Sequence, residues 1–184
     1  MAIKTDIDSP QFVARISELH TSLGIAPGYE RSSGLPLQHE PTVLADAGQD
    51  MYGRDQRLTP EALSAWQQMR DAAAAEGVEL CLVSAFRSVD YQAALIRKKI
   101  ESGRSLDDVL RVNAAPGFSE HHTGRAIDIA SPEDAPLQET FENTRAFKWL
   151  QLNAGHFGFV MTYPRGHLHA ISYEPWHWCF QLDQ

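Results

Sequence analysis

The chain is poor in cysteine. Cys81 and Cys179 are its two thiols, and they are not spaced as a Cys-x-x-Cys pair, which argues against a thiolate zinc site. Both fall in apolar runs that read as strands, so they are expected to be buried thiols. A disulfide between them would require neighbouring strands, and sequence cannot set that distance. Apolar runs are short. None approaches the roughly 18 residues of a membrane-spanning helix, so no span is predicted. Positive charge is also scarce: 16 basic residues stand against 24 acidic ones, a net charge of −8. Nucleic-acid binding normally needs a basic face, so a nucleic-acid partner is not expected, and there is no polybasic tract for anionic lipid. The chain has no internal repeat and no low-complexity tract. Met1 to Asp8 is polar and lacks the apolar core of a signal peptide. As it stands the chain reads as cytoplasmic, with a periplasmic or extracellular place only if a signal was removed.

What is present suffices for one domain. The chain has 184 residues, 43% of them hydrophobic, so residues 1–184 are read as a single unit with a sizeable core. Ser9 caps a first helix to Leu23, with Pro10 in its first turn and Gly24 as its stop. Gly28 to Gln49 is rich in Gly, Pro and Ser and reads as a long loop that would border a cleft. Thr59 and Pro60 open a second helix that stops at Gly77, and Val78 to Ser84 follows as a buried strand. Ser88 caps a helix to about Ser102, with Tyr91, Ala94, Leu95 and Ile100 placed inward, and Leu106 to Val112 makes a further short helix. Asn113 to Gly124 reads as irregular, Ala126 to Ala130 as a strand, and Phe141 to Ala154 as a helix stopped by Gly155. Gly158 to Thr162 and Trp176 to Phe180 complete the strands. Helices thus precede and cover a small, mostly C-terminal sheet, which makes the class α+β.

The chemistry concentrates in Ser119-Glu120-His121-His122-Thr123-Gly124-Arg125-Ala126-Ile127-Asp128, and far downstream in Glu174-Pro175-Trp176-His177. Two imidazoles, His121 and His177, and the carboxylate of Asp128 suit a zinc ion, and three protein ligands with an open fourth position are the pattern of a catalytic site. Gly124 lets the chain turn so that His121 and Asp128 converge. Glu174, three residues before His177, is placed to act as a general base on a zinc-activated water. Arg87, in Ser84-Ala85-Phe86-Arg87-Ser88, offers a planar fork to a substrate carboxylate or a developing oxyanion. Ser84 and Ser119 are either substrate contacts or ordinary turn and cap residues. His20, His39, His122, His156, His167 and His169 are expected not to be ligands. The alternation of His167 and His169 mimics a metal pair, but no carboxylate completes it.

Taken together, the motifs resemble the VanY-type D-alanyl-D-alanine carboxypeptidase family, which cuts the stem peptides of bacterial cell walls. The resemblance rests on the Ser84–Ser88 segment, the Ser119–Asp128 run, Tyr163-Pro164, and Tyr173-Glu174-Pro175-Trp176-His177-Trp178. It implies the small α+β zinc peptidase fold shared with D-Ala-D-Ala dipeptidases and the hedgehog signalling domain. It also implies zinc on His121, Asp128 and His177, Glu174 as catalytic base, and Arg87 on the substrate. The chain departs from the usual pattern at Phe86, often a tyrosine, and at Cys179, often an arginine.

The expected function is therefore a zinc carboxypeptidase, D,D or L,D, that removes a terminal D-alanine from a stem peptide, muropeptide or wall precursor. The alternatives are an endopeptidase cutting within the peptide and a non-catalytic zinc-binding module.

Overall fold

The computed structural model describes residues 9–181, so Met1 to Asp8 lies outside the described residues. Helix α1 (Pro10–Leu23) begins where the Ser9 side chain accepts from Phe12 N–H, and ends at Gly24 in the left-handed region. Inside the segment expected to be a loop, Tyr29–Ser33 forms a short helix, α2, and the Tyr29 and Leu35 side chains are buried. Strand β1 (Ala45–Gln49) closes that segment and pairs antiparallel with β2 (Asp55–Leu58) as a hairpin. The hairpin was not legible: its strands are polar and short, and neither alternates cleanly.

Helix α3 (Pro60–Ala75) is capped by the Thr59 side chain. It buries Ala62, Ala65, Trp66, Met69 and Ala73, spaced to make one stripe. Burial of Trp66 and Met69 contributes roughly 2–3 kcal/mol each. Helix α4 (Val89–Glu101) starts at the expected cap, Ser88, but its inward residues are Val89, Gln92, Ala93 and Ile96. Tyr91 is exposed. Ile100 packs on the core as expected, but the rest of the stripe is shifted because a polar residue, Gln92, occupies the buried face. Helix α5 (Leu106–Leu110) follows.

The main sheet is antiparallel, with β3 (Cys81–Ser84), β4 (Ala126–Ala130), β6 (His177–Phe180) and β5 (Phe159–Val160) in the order β3-β4-β6-β5. Helix α6 (Arg145–Asn153) starts later than expected because the Thr144 side chain caps it, and 3₁₀ turns flank it on both sides. The left-handed stop is Gly158, not Gly155. Helices α3 and α6 pack on the sheet in one apolar cluster, while α1, α4 and α5 build a second around Ile16, Val89 and Ile96.

Both cysteines are free, Cys179 buried and Cys81 only partly so. Strand β4 lies between theirs. Two strand spacings are about 9–10 Å, more than a disulfide can bridge.

Candidate metal centre and cleft

Register builds the site. Asp128 on β4 pairs with Ser84 on β3 and with His177 on β6, so the three residues form one row across the sheet, with neighbouring side chains about 5 Å apart. An irregularity in β3 between Leu82 and Ser84 sets that row, and bulges often re-aim side chains beside active sites. His121 arrives from the other side, on a 3₁₀ turn over Glu120–Thr123. Gly124 ends the turn at φ 65°, and a Cβ there would lie 2.8 Å from Leu44 Cδ2. The left-handed backbone and the close packing favour glycine there.

Ligand-capable atoms of His121, Asp128 and His177 all lie within 4.8 Å of one another, and all three residues are buried. Among the described residues no other trio of this kind converges. His169 is tied to the Gly34 carbonyl and to His167. His122 is saturated by main chain, donating from Nδ1 to Arg87 O at 2.6 Å and accepting from Gly117 N–H at 3.1 Å.

The protonation pattern follows from the partners. His121 Nδ1 lies 2.6 Å from the Ala85 carbonyl, which can only accept, so Nδ1 carries the hydrogen and Nε2 a lone pair. That lone pair stands 3.3 Å from Asp128 Oδ2, yet Nε2 makes no hydrogen bond among the described residues. The distance alone would read as an ion pair. The geometry does not support one, because burial, with Arg87 next, holds the imidazole down at about 4 and leaves it neutral at pH 7. Two buried acceptors facing each other are unfavourable unless a cation lies between them.

His177 is held between two carboxylates: Nδ1 is 3.1 Å from Asp128 Oδ1 and Nε2 is 2.8 Å from Glu120 Oε2. Burial alone would depress its pKa, but the hydrogen bonds to Asp128 and Glu120 raise it well above the ordinary histidine value. Burial would raise Asp128, but the two histidines hold it far below the carboxylate range. The pocket is built to stabilise positive charge at its centre, and its nitrogen and oxygen donors match those zinc accepts.

A cleft of about 620 Å³ opens onto this centre, and every residue singled out in the sequence lines it: Ser84, Arg87, Ser119, His121, Asp128, Glu174 and His177. Ser119 heads the 3₁₀ turn without making a side-chain cap, so its hydroxyl is not spent there. Burial pushes the Glu174 carboxyl up to about 7, while His177 draws it down and Asp128 pushes it further up. Arg87 is stitched to the His121 turn by Arg87 N–H to His121 O at 3.2 Å and by the His122 bond. Its Nη2 is 3.8 Å from Asp128 Oδ2, and its buried Nε has no partner among the described residues. The segment 28–49 contributes no residue to the cleft wall, which takes Tyr52 and Arg54 from the hairpin instead.

The profile of the VanY family, D-alanyl-D-alanine carboxypeptidase, matches residues 55–183. The chain belongs to this family. The Bacillus subtilis (strain 168) protein YodJ is 37% identical over 150 residues, covering 78% of this chain and 55% of YodJ, so the chain spans about half the length of that curated relative. Among solved structures, the LdcB LD-carboxypeptidase aligns with a TM-score of 0.69 at 34% identity, over 79% of this chain and 71% of that one. A VanY D,D-pentapeptidase variant from a VanB-type resistance cassette, solved with Zn(II), aligns with a TM-score of 0.60 at 26% identity, over 79% of this chain and 82% of that one. The α+β architecture is the one these peptidases share.

Two residues of this VanY-family site were missed in the sequence. Glu120 was passed over although it adjoins His121; its partner, His177, lies 57 residues away. Hydrogen bonding to the outer nitrogen of a ligating histidine fixes its tautomer, and Glu120 sits where it can do this. Gln92, fully buried, accepts from Arg87 Nη1 at 3.3 Å and donates to Ala114 O at 2.8 Å, which orients the guanidinium. A polar residue at a buried helical position was the available signal.

Proposed function

We propose that the protein is a zinc-dependent carboxypeptidase that removes a terminal D-alanine from peptidoglycan stem peptides, muropeptides or precursors. The observation that carries this reading is the unpaired, buried Nε2 of His121 facing Asp128 and His177 at the floor of a cleft that also holds Glu174 and Arg87. His121 through Nε2, Asp128 and His177 through Nδ1 are the atoms that would hold the ion, with Glu120 accepting from His177 Nε2–H. When bound, zinc acts as a Lewis acid that lowers the pKa of water and polarises a peptide carbonyl. Glu174, as the carboxylate, takes a proton from the attacking water and returns it to the leaving amine nitrogen. Arg87, held by Gln92, pairs with the free carboxylate end of the peptide or with the developing oxyanion. Ser84 and Ser119 offer hydroxyls along the same wall.

Support for the substrate class comes from relatives: VanYB has been solved in complex with D-alanine-D-alanine, and it is 26% identical to this chain. The test is amino-acid release from D-alanine-terminated tri-, tetra- and pentapeptides of both penultimate configurations, read by mass spectrometry with and without chelator. Release of terminal D-alanine that stops on chelation is expected, and the panel separates D,D from L,D cleavage. Cleavage within the peptide would make it an endopeptidase. No cleavage of any peptide by the zinc-loaded protein would leave the zinc-binding module.

A further inference from the structure

The charges lining the cleft are unequal. Beyond the metal centre and Glu174, its charged lining residues are Arg54, Arg87, Lys99 and Arg104, with no further carboxylate among the lining residues, in a chain whose net charge is −8. Arg54 is paired with Asp50 at 2.7 Å. Lys99 and Arg104 have no carboxylate within 4 Å among the described residues.

Lys99 is half-buried and positioned, not loose. Its Nζ donates to Asn113 Oδ1 at 2.8 Å. The Asn113 amide is oriented in turn by Nδ2 donating to Val109 O at 2.9 Å, so its oxygen is the atom offered to Lys99. An ammonium has three donors; one is used here, and Lys99 borders the cleft. Arg104 is adjacent, its backbone N–H bonded to Lys99 O at 3.3 Å. Gln92, Leu95 and Lys99 line the cleft from the same helix at helical spacing. Lys99 thus lies seven residues, about 10 Å, along α4 from the glutamine that holds Arg87. Burial and the neighbouring cations Arg104 and Arg87 lower the Lys99 pKa, with Glu174 pulling it the other way, and a bound anion would offset that cost.

We propose that Lys99, seated on Asn113 and flanked by Arg104, is a second anion subsite that takes a free side-chain carboxylate of the peptide, separate from the terminal carboxylate assigned to Arg87. The subsite rests on the peptidase reading for the identity of its ligand. The two helix positions are about 10 Å apart, a span that about three residues of extended chain, or fewer residues plus a long side chain, can cover. A stem peptide whose third residue is a diaminodicarboxylic acid carries such a group, and amidation removes its charge.

The test uses two tetrapeptides ending in D-alanine, alike except that the side-chain carboxylate of the third residue is free in one and amidated in the other. The zinc-loaded protein is expected to favour the free acid about ten-fold in kcat/KM, and more at low salt than at high. Lys99→Gln is expected to bring that ratio to about one, and Lys99→Arg to keep it. Equal turnover of the two peptides, or an unchanged ratio in Lys99→Gln, would overturn the subsite while leaving the carboxypeptidase intact. Calorimetric binding of the same peptides provides the turnover-independent arm. If neither is cleaved yet the free acid binds more tightly to the wild type alone, the subsite stands and the peptidase reading falls. Equal binding, or none, removes the subsite.

Discussion

His121 Nε2 and Asp128 Oδ2 face each other at 3.3 Å, both buried, with the imidazole hydrogen committed to Ala85 O on the far side of the ring. Two buried acceptors at this distance would be relieved by a cation between them, as in the proposed zinc site. Asp128→Asn removes the charge but keeps the shape. It is expected to weaken zinc binding by more than about 100-fold while the chain stays folded, read as the zinc-to-protein ratio after dialysis against a competing chelator. Zinc retention equal to the wild type would place the ion elsewhere.

Glu120 reaches His177 from the side away from Asp128. In the proposed zinc site its role would be to fix the ring so that Nδ1 faces the centre. Glu120→Gln should retain a zinc site but lower its affinity by about 10- to 100-fold, measured by competition with a chromogenic chelator. An unchanged affinity would show that Glu120 only fills space.

Glu174 links the site to pH. Its carboxyl has an ordinary value of 4.5 and is pushed up to about 7 in the folded, metal-free chain, chiefly by burial. Between those values the folded state holds the proton and the unfolded state does not. The stabilisation is therefore fully present below about 4.5 and is lost as pH rises through about 7. Glu174→Gln cannot ionise and has no such term. In chelator, denaturant titrations at pH 5 and pH 8 should show the stability of the wild type falling relative to the variant by up to about 3 kcal/mol. His121 and His122, both held at about 4, oppose this trend in acid but cancel in the comparison.

Gly124 stands at φ 65° with Leu44, Pro41 and Thr59 packed around the place of its missing side chain. Gly124→Ala should cost about 1–3 kcal/mol in denaturant unfolding and weaken zinc binding, because the turn carries His121 toward Asp128. A stable variant with normal zinc affinity would remove the turn from the account.

The parts of this molecule that were legible beforehand are those governed by local chemistry. Ser9, Thr59 and Ser88 cap the helices they were expected to cap, because a cap needs only its own first turn. The Ser119–Asp128 run was informative for the same reason: its glycine sits between the two side chains it brings together. Register was not legible. Nothing in the sequence places Ser84, Asp128 and His177 in one row, since that row depends on an irregularity in β3 and on two strand pairings. Gln92 and Glu120 were missed because their partners lie on other elements, and Gln92 also concealed the phase of α4. The β1–β2 hairpin had too little apolar patterning to announce itself.

In the proposed mechanism zinc is held by His121, Asp128 and His177 while Glu174 moves the proton. Zinc content and D-alanine release measured together on Glu174→Gln test it most directly. The account predicts about one zinc per chain, as in the wild type, with turnover reduced at least about 100-fold. Turnover at the wild-type rate by a zinc-loaded Glu174→Gln protein would contradict it.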